Sequence, residues 1–130
     1  MADGDRIYTL EEARAVLPQV RAILLQLAVE RSRTEQAHEA LHHRLRGDGD
    51  AEAESDDALH ARVEQLRAGM QALLTHLESM GILLRDVETG LVDFPAIRDG
   101  ERVWLCWRLA DPDVSFWHTT REGFASRRPW

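Results

Sequence analysis

At 130 residues the chain is long enough to bury a core and too short for two independent ones, so a single domain spanning 1–130 is expected. Its formal charge of −7 disfavours nucleic acid and anionic membranes as partners, because both reward a basic face. No run approaches the roughly 18 apolar residues of a membrane span, the acidic start lacks the form of a signal peptide, and the lone Cys106 excludes an intramolecular disulfide. These features lead to the expectation of a soluble, cytoplasmic protein.

Thr9-Leu10-Glu11-Glu12 has the form of a capping box, so a first helix is expected over 9–46. Leu10, Ala13, Leu17, Val20, Leu24 and Leu27 step by three and four along one stripe, which turns polar at Arg31, Thr34 and His38 before recovering at Leu41 and Leu45. Pro18, well past the first turn, predicts a kink. Residues 47–57 read as an acidic turn. A calcium loop is excluded there, since Ala53 stands where glycine is needed and Leu59 where the bidentate glutamate belongs. A second stripe from Leu59 to Met80 predicts a helix over 58–80, with Gly81 as its left-handed cap. Two long helices and a short turn make an antiparallel hairpin. Val16, Ile23, Leu25, Val29 and Leu74 lie off the main stripes, so docking of the C-terminal region or homodimerisation through the hairpin is expected to bury them.

Beyond Gly81 the period shortens to two, which predicts a small antiparallel β-region over 91–119 and hence an α+β fold. Leu91 to Phe94 reads as a strand stopped by Pro95, Asp99-Gly100 as a tight turn, and Val103 to Leu109 as a strand. A plain four-residue loop over Ala110 to Asp113 would place Leu109 opposite Val114, Trp107 opposite Phe116, Leu105 opposite His118 and Cys106 opposite Trp117. The tail 120–130, with Phe124 and Trp130, is expected to dock.

The run Gly90-Leu91-Val92-Asp93-Phe94-Pro95, with Leu105-Cys106-Trp107-Arg108, Trp117-His118 and Gly123-Phe124 before Arg127-Arg128-Pro129, resembles a family of small prokaryotic proteins catalogued only as a domain of unknown function. Tyr8 to Ala13 and Leu17-Pro18 fit its N-terminal helix, while His38 to Asp57 lie outside the resemblance. Ser126 stands where that pattern leads to glycine. The resemblance implies no activity.

Three constellations could carry chemistry. His38-Glu39-Ala40-Leu41-His42 matches the metalloprotease pattern, with two histidines as zinc ligands, Glu39 as base and His60 or Glu64 as a third ligand across the hairpin. Its usual downstream histidine is missing, and solvated polar residues on a long helix are the simpler account. Cys106 and His118 form a thiol–imidazole pair only if they share a sheet face, which the register above denies. The aromatic set is first of all a core, but Trp107 and Trp117 with His118, Arg108, Arg127, Arg128 and Asp93 also have the composition of a small-molecule site. The expected function is therefore a non-enzymatic, dimerising domain without a cofactor. It binds a protein or a small anionic ligand at the Trp/His/Arg-rich β-region, and a zinc-dependent hydrolase built on His38 and His42 is the alternative.

Overall fold

The computed structural model describes residues 6–45 and 55–130, so most of the expected acidic turn lies outside the described residues. Helix α1 runs Leu10–Leu45 and helix α2 runs Asp56–Ser79. Five strands follow: β1 Leu83–Asp86, β2 Leu91–Arg98, β3 Glu101–Trp107, β4 Phe116–Thr119 and β5 Arg128–Pro129. They form one antiparallel meander in chain order, and the fold is α+β.

The helix ends form where local chemistry places them. The Thr9 N–H donates to Glu12 Oε1 at 2.9 Å and the Glu12 N–H to Thr9 Oγ1 at 3.0 Å, a closed capping box. Helix α2 starts earlier than expected, because Ser55 Oγ accepts the Ala58 N–H and the carboxylates of Asp56 and Asp57 suit the positive end of the helix. It ends with Gly81 at φ 74°, the Gly81 N–H on Glu78 O and the Ile82 N–H on Leu77 O. Gln19 meets His76 and Arg44 meets Asp56, pairs whose members run in opposite order along the two helices, as an antiparallel hairpin requires. No described helix is long and apolar enough to cross a membrane.

One face of the sheet completes the core. Val92, Phe94, Ala96, Val103, Leu105 and Trp107 pack with Leu17, Val20, Ile23, Leu24 and Leu27 of α1 and with Leu77 of α2. Ile23 is thus covered by the β-region, whereas Leu25, Val29 and Leu74 stay exposed. The polar break in the α1 stripe also has a partner, since Arg31 reaches Glu88 in the β1–β2 turn at 3.0 Å.

Tyr8 ties the layers together. Its hydroxyl donates to Met80 O, its N–H to Pro95 O at 2.7 Å, and its ring meets Phe94 edge-on at 5.4 Å. That second bond explains why β2 does not stop at Pro95, as the sequence had led us to expect. Strand β1 pairs only with Leu91 to Asp93, so at Pro95 the outer edge needs no ladder donor, and the free carbonyl is taken by Tyr8. Asp99 and Gly100, at φ 52° and 81°, make the two-residue turn between β2 and β3.

The register of β3 with β4 differs from expectation by one residue. Cys106 pairs with Phe116, Leu105 with Trp117 and Trp104 with His118. The connection is longer than a four-residue loop because its aspartates form local turns. The Asp111 carboxylate accepts the Arg108 N–H, the Asp111 N–H donates to Arg108 O, and Asp113 Oδ1 accepts the Val114 N–H. Leu109 and Val114 are thereby withdrawn from the ladder, β4 begins at Phe116, and every side chain on it changes face.

Candidate functional site

The one-residue change brings Cys106 and His118 to the same face. Asp93 pairs directly with Cys106 across β2 and β3. Alternation along β3 puts Cys106 with Trp104, whose partner on β4 is His118. The face opposite the helices therefore gathers a carboxylate, a thiol and an imidazole from three adjacent strands, all buried and with their potential ligand atoms within 4.8 Å of one another. Among the described residues, no other group of three or more His, Cys, Asp or Glu side chains converges in this way.

His118 is 2% exposed, as is Asp93. Its Nδ1 lies 2.9 Å from Thr119 O, and since a carbonyl only accepts, Nδ1 carries a hydrogen. Its Nε2 lies 3.1 and 3.2 Å from the two Asp93 oxygens. Arg85 supports Asp93 from the rim, its Nε donating to Oδ2 at 2.9 Å while its guanidinium lies over the Trp104 ring.

These groups line a cleft of about 340 Å³ together with Leu91, Thr120, Glu122, Gly123 and Phe124. Glu122 is already engaged, accepting from the Thr119 hydroxyl at 3.0 Å and from Arg128 at 2.9 Å. These bonds and the Arg128 charge hold its carboxyl below the ordinary value. Burial pushes the Cys106 thiol up to about 12, and the Asp93 charge adds to the effect. A protonated thiol beside an imidazole committed to Asp93 is not an activated nucleophile.

The other expected site residues occupy different places. Trp107 is fully buried on the helix-facing side, its Nε1–H donating to Asp111 O at 3.1 Å. Trp117 shares that side and meets Trp130 edge-on, with Arg98 and Arg128 over its ring. Arg127 forms a two-pronged bond to Asp111 at 2.6 and 3.1 Å and stacks on Phe116 and Phe124. Arg108 stacks on Phe124, and its Nε, 3.7 Å from Asp111, is a buried donor without a hydrogen-bond partner among the described residues. Of the residues singled out in the sequence, Asp93, Cys106 and His118 floor the cleft and Arg127 and Arg128 brace its wall. Arg85, Thr120 and Glu122 escaped notice, because nothing in their spacing marks them.

On the hairpin, His38, His42 and His60 line a pocket of about 320 Å³ with Leu41, Leu45 and Asp56. Their ligand atoms do not converge within 4.8 Å as those of the sheet trio do. Glu39 is not among the lining residues and lies 3.8 Å from His43.

A helical hairpin backed by an antiparallel meander, with a buried carboxylate–thiol–imidazole group at the floor of a cleft on its outer face, defines the class to which this chain belongs. Residues 6–130 match the uncharacterized conserved protein family DUF2203, and the chain is a member of that family. No curated protein and no solved structure matches it.

Proposed function

We propose that the chain is a small, non-enzymatic binding domain that takes a small anionic ligand into the cleft above Asp93, Cys106 and His118. The observation that carries this reading is the buried Asp93–His118 pair at the floor of a cleft with Arg85 at its rim. A buried carboxylate–imidazole pair is weak support for a fold, since apolar residues of similar volume commonly serve as well or better. Arg85 spends only Nε on Asp93, so its terminal N–H groups can grip a carboxylate or phosphate from the rim. Leu91 and Phe124 supply apolar wall, and the volume is at the lower end for small-molecule sites.

The test is a titration of the amide-labelled protein with malonate and with inorganic phosphate, followed by NMR. Shifts are expected at Arg85, Leu91 and Thr120 to Phe124, and Arg85→Gln should abolish them. Shifts centred instead on Arg102 and Arg121, which line a separate cation-bearing pocket, would refute the reading.

The exposed Leu25, Val29 and Leu74 support a second part of the proposal, self-association through the hairpin. Sedimentation equilibrium at micromolar concentration should give the mass of a dimer, and a monomer mass would refute it.

A further inference from the structure

We infer that Asp93, Cys106 and His118 form a binding site for one divalent transition ion of the zinc class, at the floor of the cleft. This inference rests on the reading of that cleft as a ligand site.

The donor set is the first argument. One imidazole nitrogen, one thiolate sulfur and one carboxylate oxygen suit a borderline ion, whereas calcium and magnesium call for oxygen alone. The second argument is placement. Asp93 and Cys106 are paired on β2 and β3, and His118 lies diagonally on β4 opposite Trp104, on the same face, so the sheet holds all three within 4.8 Å of one another. Bonds of about 2.0–2.3 Å to a tetrahedral ion separate its ligand atoms by roughly 3.3–3.7 Å, so the Asp93–His118 distance of 3.1 Å has to open only slightly.

The third argument is the orientation of the imidazole. Metal-bound histidines characteristically donate their other ring N–H to a carbonyl or carboxylate, which fixes the ligating nitrogen. His118 does this, with Nδ1–H on Thr119 O and Nε2 aimed at the Asp93 oxygens. Asp93 is steadied in the same manner by Arg85. An ion bound there would take the place of the hydrogen in the Nε2–Asp93 contact. Binding would replace the shared proton and the thiol proton, releasing both to water and forming the Nε2, Oδ and Sγ bonds in their place. Three protein ligands leave a fourth position facing the cleft, where an anion held by Arg85 can complete the shell.

The experiment uses the full chain, purified without a tag and stripped with a chelator, then titrated with zinc by calorimetry and with cobalt(II) by absorbance. One equivalent should bind, and cobalt should produce an ultraviolet thiolate-to-metal charge-transfer band, which only Cys106 can supply. His118→Gln should weaken binding by at least tenfold, Cys106→Ser should remove the band, and His42→Ala should change neither. The cobalt spectrum of the unaltered chain decides the matter even if a variant fails to fold. No binding, or a cobalt complex without the thiolate band, overturns the inference, as does binding lost in His42→Ala and kept in His118→Gln. Malonate shifts at the cleft without any metal binding would remove the ion and leave the cleft, whereas the absence of both would remove both.

Discussion

Replacing Asp111 with asparagine should cost the protein roughly 2–3 kcal/mol, the range for a hydrogen bond to a charged group in a poorly hydrated setting. The figure comes from what the carboxylate holds: two bonds from the Arg127 guanidinium at 2.6 and 3.1 Å and the Arg108 backbone N–H at 3.1 Å. The side chains of Arg127 and Asp111 are only 12% and 9% exposed. Asparagine keeps the volume but turns an NH2 group toward a cation. Arg127 retains Phe116 and Phe124 beneath it, worth about 0.5–1 kcal/mol each, which limits the loss. For a domain of this size the thermal midpoint should fall by roughly 8–12 °C. The pH dependence provides an independent check. Burial alone would raise the Asp111 carboxyl, but the Arg127 fork, the Arg108 N–H and both guanidinium charges outweigh it and hold the carboxyl below its ordinary value. A depressed carboxyl contributes stability that is complete above the unfolded value of about 3.9 and is lost as pH falls through the folded value. The gap between parent and Asp111→Asn, measured by urea denaturation, should therefore be full at neutral pH and close below about pH 4. A midpoint change under about 3 °C, or a gap that does not narrow with acid, would refute the reasoning.

Tyr8→Phe should cost about 1–2 kcal/mol in urea, because the buried Met80 carbonyl loses its donor; an unchanged midpoint would show that bond to be idle. Gly90→Ala should cost at least about 2 kcal/mol, since its φ is 66° and a Cβ would lie 2.5 Å from Leu109 Cγ. Gly100→Ala, at φ 81° with open space around it, should cost only about 1 kcal/mol. Adding Leu109→Ala to Gly90→Ala should recover part of the loss in the same assay, and no recovery would place the strain in the backbone alone.

The helices were legible because their signals are local. Thr9 and Glu12 cap each other within one turn, and the Leu17 to Leu27 stripe needs only a 3.6-residue period to show its buried face. Asp99-Gly100 was equally plain as a turn. What could not be read was the count of residues that Asp111 and Asp113 consume in local turns. One residue there decides whether Cys106 and His118 face each other or opposite sides. Pro95 misled for a related reason, since whether a strand tolerates proline depends on what pairs with its outer edge, and that is a tertiary fact. Asp93, Cys106 and His118 were each noticeable in the sequence. Their convergence, and the support of Asp93 by Arg85, appear only once the register is known.

The central claim is that the Asp93–His118 pair serves the cleft and not the fold, and a double-mutant cycle in folding stability tests it most directly. His118→Leu alone leaves a buried carboxylate with only Arg85 to balance it and should cost about 3 kcal/mol. Asp93→Val combined with His118→Leu removes both polar partners, and Arg85, partly exposed, can turn to solvent. The double variant should regain stability to within about 1 kcal/mol of the parent, or exceed it. A double variant as unstable as, or less stable than, His118→Leu alone would show that the pair holds the sheet together and would contradict the account.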